Sequence, residues 1–145
     1  MTTKKEIIFR GRDENGKWVY GNLYNTSNNE SYIMPSSTLY TTKSDGDEMK
    51  CLYVAHRIKD TDTIGQYIGI KDKYENKIFE GDICEHSDKE NYPRQLTVEW
   101  IDEFACFTFV DKDDFNKKYY FTKENMNNIK VIGHAFEDKT DVIKG

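Results

Sequence analysis

Proline, arginine and cysteine are all scarce in this chain, and no long apolar run interrupts it. The two prolines, Pro35 and Pro93, leave nearly every backbone N–H free to enter a β-ladder, since only proline lacks that donor. Cys51, Cys84 and Cys106 are odd in number and widely spaced. That pattern disfavours a disulfide framework and reads as reduced, small apolar residues on strands in a reducing compartment. No stretch approaches the ~20 apolar residues a membrane helix needs. Met1 to Glu6 leads only into Ile7, Ile8 and Phe9, too short an apolar run for a secretory signal. A soluble, cytoplasmic protein is the expectation. Only Arg10, Arg12, Arg57 and Arg94 among the 21 basic residues are arginine, and 26 acidic residues bring the net charge to −5. Such a balance argues against coating duplex nucleic acid by bulk charge, while leaving room for a local basic patch.

What is present is aromatic and β-prone. At 145 residues the chain suits one domain or two very small ones. Hydrophobic residues make up 37% of it and the mean hydropathy is −0.85, so the core must be lean. Aromatics nonetheless reach 14%, where a disordered polyelectrolyte would have few.

Ile7–Arg12 and Lys17–Tyr24 flank Asp13-Glu14-Asn15-Gly16, a hairpin in which Asn15-Gly16 supplies positive φ. Its second strand places Trp18 and Tyr20 on one face and Val19 on the other. Ser31–Met34 returns as a third strand. Residues 36–50, rich in Ser, Thr and Asp without apolar period, read as a surface loop. Cys51–Ile58 regains strand character. In Thr63–Ile70, Gly65 and Gly69 mark bends or bulges. From Ile78 onward short strands recur: Ile83–His86, the alternating Leu96–Trp100, Phe104–Val110, Tyr119–Thr122 and Lys130–Phe136, the last bent at Gly133. That spacing predicts a small closed barrel or sandwich. One helical turn fits Lys123–Asn128, capped by Thr122.

Several runs together resemble the YopX family of small phage and prophage proteins. These are Ile7-Ile8-Phe9-Arg10 with Gly16–Gly21, Thr63–Asp72, Ile78–Ile83, Val98-Glu99-Trp100 and Val131-Ile132-Gly133. The resemblance implies a mainly β chain whose C-terminal half is a small barrel of the Src-homology-3 type, and a setting inside a bacterial host cell. It supplies no activity. The expected layout is one domain over 1–145, with an N-terminal β-hairpin sheet over 1–76, carrying the loop 36–50, and a small barrel over 77–140. This chain departs from the family pattern at Tyr74-Glu75-Asn76, where the family usually places Asn-Gly, and the turn type there is open.

Motifs with chemistry are few. Cys84 and His86 share a strand face, but a zinc site needs further ligands at recognisable spacing. Asp111–Asp114 lacks the glycine and the twelfth-position Glu of a calcium loop, and Asp45–Glu48 is likewise a solvated turn. Neither a nucleophile elbow nor a phosphate loop is present. No cofactor, metal or catalytic residue is therefore expected, and the reading is non-enzymatic: a protein-binding module with an unidentified partner. Gln66, Tyr67, Lys71 and Asp72 are its candidate contact residues. Gly65, Gly69, Glu80, Gly81 and Asp82 are expected to shape turns. The alternative is a nucleic-acid-binding module using Arg10, Arg12, Lys117, Lys118 and Tyr119, in which cations hold the backbone and rings stack on bases, and the third reading is a small hydrolase-like or metal enzyme. No membrane contact is expected, and open sheet edges leave room for a homo-oligomer by strand pairing.

Overall fold

In a computed structural model, residues 4–35, 40–43, 49–52, 55–88, 91–120 and 127–136 are described. The chain is mainly β, and its strands are antiparallel. It divides into an N-terminal unit, Glu6–Gln66, and a C-terminal unit from Tyr67 onward.

The N-terminal unit is built on the hairpin of β1 (Phe9–Arg12) and β2 (Trp18–Asn25). β3 (Ser31–Met34) pairs with β2, and β6 (His56–Ile58) pairs with β3. The start of β7 (Gly65–Lys71) adds to the other side of β1 through Phe9↔Gln66 and Arg10↔Gly65. Alternation sends Val19, Ile33 and Ile58 to one face, where Leu23 and Ile64 pack against them. Each such side chain contributes roughly 1.5–3 kcal/mol when fully buried. Small residues make the packing feasible: a Cβ on Gly21 would lie 2.1 Å from the Met34 carbonyl oxygen, so β2 and β3 meet there only because position 21 has no side chain.

Residues 36–50, expected as a loop, contain a further hairpin of β4 (Tyr40–Lys43) and β5 (Met49–Leu52). Backbone pairing of β-prone Tyr and Thr residues needs no apolar period, which is why the pattern is silent there.

In the C-terminal unit, β7 runs on from Tyr67 to pair with β8 (Lys77–Phe79). A five-stranded sheet has the order β12-β11-β10-β9-β13, formed by β9 (Asp82–Asp88), β10 (Asn91–Ile101), β11 (Cys106–Asp111), β12 (Lys118–Tyr119) and β13 (Ile129–His134). Its core gathers Ile68, Ile78, Cys84, Leu96, Val98, Phe109 and Ile129. Gly69 (φ 93°) sits within the register shift between Tyr67 and Lys71, and Gly133 ends the shift in β13. Both glycines thus fall where the sequence places bends. Among the described residues no sheet closes into the expected barrel: the five-stranded sheet ends at β12, of two residues, on one side and at β13 on the other. The helical turn expected near Lys123 lies largely outside the described residues.

Three hairpin turns use one device. In Asp13–Lys17, Thr26–Glu30 and Asp72–Asn76 the fourth residue donates its N–H to the first carbonyl, while the first N–H bonds the fifth carbonyl. The first side chain accepts the fifth N–H as well. The fourth residue is left-handed in each: Gly16 at 78°, Asn29 at 62° and Glu75 at 65°. Asn15, expected to share the positive φ, does not. The turn that the family pattern leaves open is therefore of this same type. Glu75 keeps the same geometry as Gly16 at a cost of about 1–2 kcal/mol for a residue with Cβ.

Substitutions in these turns have calculable consequences. Glu75→Gly relieves that strain, loses an exposed pair with Lys71 at 3.8 Å and gains chain entropy when unfolded. The balance is a stabilisation of about 0.5–1 kcal/mol, read as a raised urea midpoint with unchanged m-value. Asp72, almost fully buried, has its carboxyl held below the ordinary 3.8. Burial alone would raise it, but N–H bonds from Val131, Asn76 and Tyr74 and the Asn76 amide outweigh burial. Because the folded value is the lower one, its stabilisation is present above pH ~4 and lost as pH falls through the folded value. Asp72→Asn should cost roughly 2–3 kcal/mol in urea denaturation at neutral pH, with the difference shrinking in acid.

Candidate functional face on the N-terminal sheet

The register that buries Val19 and Ile33 turns a different set of side chains to the opposite face. Arg10 lies opposite Tyr20, and Arg12 opposite Trp18. Farther along, Tyr24 is paired with Tyr32, and Tyr32 with Arg57. Residues in direct cross-strand register share a face, so this face carries Arg10, Arg12, Trp18, Tyr20, Asn22, Tyr24, Tyr32, Met34 and Arg57. It carries no lysine among the described residues of these strands.

Its two ends differ. At one end the guanidinium carbons of Arg10 and Arg12 lie 4.6 and 4.8 Å from the Trp18 ring centroid, each a cation–π contact worth ~0.5–2 kcal/mol depending on desolvation. Arg10 is buried and Trp18 half-buried. The Thr63 hydroxyl accepts the Arg12 N–H at 3.0 Å and itself donates to the Asp60 carbonyl, which locks β1 to the turn ahead of β7. At the other end Glu30 joins two members of the face. Tyr32 Oη donates to Glu30 Oε2 at 2.9 Å, and Arg57 Nη2 lies 3.5 Å from Glu30 Oε1. Between these ends Tyr20 and Tyr24 are 47% and 57% exposed, large rings left in solvent on an otherwise organised surface.

The expected contact residues in Thr63–Asp72 are placed differently from one another. Gln66 is half-buried at the end of the N-terminal unit. Tyr67 is buried against Phe79, with ring centroids 5.8 Å apart and Lys77 Nζ 5.5 Å from its centroid. Lys71 is exposed. Asp72 directs one carboxylate oxygen to the N–H groups of Tyr74 and Asn76 and the other to Val131, at 2.9 to 3.0 Å. Asp82, beside Gly81, accepts the Phe79 N–H at 2.8 Å, and its second oxygen meets His134 Nδ1 at 2.8 Å. Gly81 takes φ 91° and Gly65 lies within β7, opposite Arg10. Glu80 is half-buried.

Of the alternative group, Lys117 and Lys118 are exposed, but Tyr119 is half-buried. Its hydroxyl accepts a bond from Arg94 at 2.6 Å and its ring stacks on His86. These residues belong to the C-terminal unit, whereas Arg10 and Arg12 belong to the N-terminal one. Cys84 is buried in the core and His86 stacks on Tyr119. Among the described residues no three His, Cys, Asp or Glu side chains gather as metal ligands. Asp111 pairs with Arg94 at 3.7 Å and accepts the Asp113 N–H, so the acidic turn is organised by its own backbone.

Sequence reasoning misses Tyr24, Tyr32 and Arg57. Period-two alternation from Trp18 through Tyr20 extends to Tyr24 and is the available signal. Tyr32 and Arg57 arrive through pairing with β2 and β3, which no local pattern announces.

The Tyr32 phenol is held above its ordinary 10.0, chiefly by its bond to Glu30, then by burial and the Glu30 charge, with Arg57 opposing. Because the folded value is raised, the bond's contribution is present below pH ~10 and disappears as pH rises through the folded value. Glu30→Gln should lower the Tyr32 value and Arg57→Ala should raise it further, both read by NMR titration of ring-labelled tyrosine.

A family profile described as YopX protein matches residues 8–140, spanning both units. No curated protein matches the chain. With the profile covering most of the sequence, and with its Trp/Tyr hairpin, Gly69 bulge and Gly81 turn in place, the chain belongs to the YopX family.

Proposed function

We propose that this protein is a non-enzymatic binding module, serving a phage or prophage, whose arginine–aromatic face engages an acidic surface of a protein partner. The supporting observation is the composition of that one face: Arg, Trp, Tyr and Met in register, with lysine absent. Arginine, the aromatics and methionine are the residues enriched at protein interfaces, and lysine is depleted there. Tyrosine offers large contact area at low entropic cost, and its hydroxyl finds acceptors on a carboxylate-bearing partner. The half-buried Arg12 and the exposed Arg57 give the face its sign.

Single-stranded nucleic acid is the second reading, favoured by the exposed rings of Tyr20 and Tyr24 beside arginines. Acidic Asp13, Glu14, Asp60 and Asp62 in the neighbouring turns weigh against a continuous phosphate backbone, whereas a protein partner can confine its carboxylates to the arginines.

Photo-crosslinking separates the two. A photoreactive phenylalanine analogue replacing Tyr24, expressed in bacterial cells, should yield one discrete protein adduct. The adduct should disappear on Arg57→Glu and be absent when the analogue replaces Tyr74, an exposed tyrosine of the other unit. A nuclease-sensitive adduct transfers the face to nucleic acid, and an adduct that survives Arg57→Glu overturns the charge-based reading.

A further inference from the structure

The β10–β11 hairpin of the C-terminal unit ends in a surface unlike the N-terminal face. Along β10, Leu96 and Val98 point into the core, and Trp100 follows them on the same face. Phe107 lies opposite Trp100, as Phe109 lies opposite Val98. The core face therefore continues outward as a ring pair, edge to face with centroids 5.0 Å apart. Here it emerges into solvent: Trp100 is 44% and Phe104, in the intervening turn, 58% exposed. The indole is held in place, since its Nε1 donates to Asp102 Oδ1 at 2.7 Å. Asp102 and Glu103 stand in the turn beside the rings and Glu99 on the opposite strand face, all exposed, and Glu99–Thr108 contains no Lys or Arg.

The backbone beside these rings is also open. The β9 partners of β10 end at Thr97↔Ile83, and one bond follows, from Gly81 N–H to the Val98 carbonyl. Strand alternation turns the Trp100 N–H and C=O to that same side, and among the described residues no strand continues there. An edge with unpaired main-chain groups accepts an extended segment, with side-chain pockets adding specificity. An indole face favours a cation, more strongly where carboxylates share the site.

We propose that the open end of the β10–β11 hairpin docks an extended polypeptide segment bearing lysine or arginine. Main-chain bonds form at Trp100, a cationic side chain lies over the Trp100 and Phe107 rings, and Asp102 and Glu103 in the adjoining turn supply the opposite charge. This surface is independent of the N-terminal face and selects a partner of the other sign.

The test uses the full chain and a short synthetic peptide of alternating arginine and valine, with glutamate replacing arginine in a control of equal length. The Trp100 indole N–H signal, assigned by its loss in Trp100→Phe, should shift saturably with the basic peptide and stay still with the acidic one. Glu103→Gln should weaken binding about threefold, as should raised salt, since an exposed charge contributes a few tenths to one kcal/mol, whereas Glu99→Gln, on the opposite strand face, should leave it nearly unchanged. Unchanged signals of the buried Leu96, Val98 and Phe109, core residues of the same unit, report that the variants remain folded. An unmoved indole at millimolar peptide overturns the proposal, and so does an equal response to both peptides. A shift that depends on protein concentration without peptide replaces the segment with a second copy of the chain.

Discussion

A carboxylate in the wrong place for a turn residue holds the C-terminal unit together. Asp72 would be an ordinary first residue of a hairpin turn, like Asp13, if it served only the N–H groups of its own loop. Instead its second oxygen accepts the N–H of Val131, 59 residues away, while the neighbouring Lys73 N–H donates to the Ile129 carbonyl. Together a side chain and a main-chain amide occupy the free edge of β13 as a strand would. In a chain with 37% hydrophobic residues, a buried carboxylate that satisfies an edge replaces an additional covering element and the core it would require. It also makes folding of this unit dependent on an ionised group, since a neutral acid binds three donors poorly.

The sheet manages its other edges with equally few residues. β12 has only two, the first of them exposed Lys118 with exposed Lys117 just before it, a poor template for pairing. The end of β10 is different: it is long, it presents rings, and nothing among the described residues covers it beyond Val98. Where a lean protein closes two edges and leaves a third open beside a fixed tryptophan, the exception is the place to look for a partner.

How much of this is legible in the sequence depends on whether each contact is local. Arg10, Arg12, Trp18 and Tyr20 can be assigned to a common face from the sequence, because alternation fixes which residues share a side and the Asn15-Gly16 turn fixes the hairpin. The Gly69 bulge and the Gly133 bend are legible for the same reason, since a glycine within a β-prone run has few other uses. Glu75 is not, because glutamate carries no signal for a left-handed residue; only the geometry shared with Gly16 and Asn29 reveals the turn. Asp72 reads as a contact residue because no pattern near it shows that its acceptors are consumed by residue 131. Strand spacing suggests a barrel, but it reports how many strands exist and not whether the terminal ones meet.

Net charge proves a weak guide to partners for the same reason that local motifs do. A value of −5 averages over surfaces with opposite chemistry. One sheet face in the N-terminal unit exposes tyrosines beside arginines without lysine, and the hairpin end in the C-terminal unit sets rings among carboxylates without cations. Each assignment depends on register, because shifting either strand by one residue would send these side chains inward and the core outward. The turns that fix register are therefore also what fixes the proposed binding surfaces, so that on that proposal strain at Glu75 and ionisation of Asp72 bear on recognition as well as on stability. The two proposed faces are set in place by the same hydrogen bonds that fold the chain.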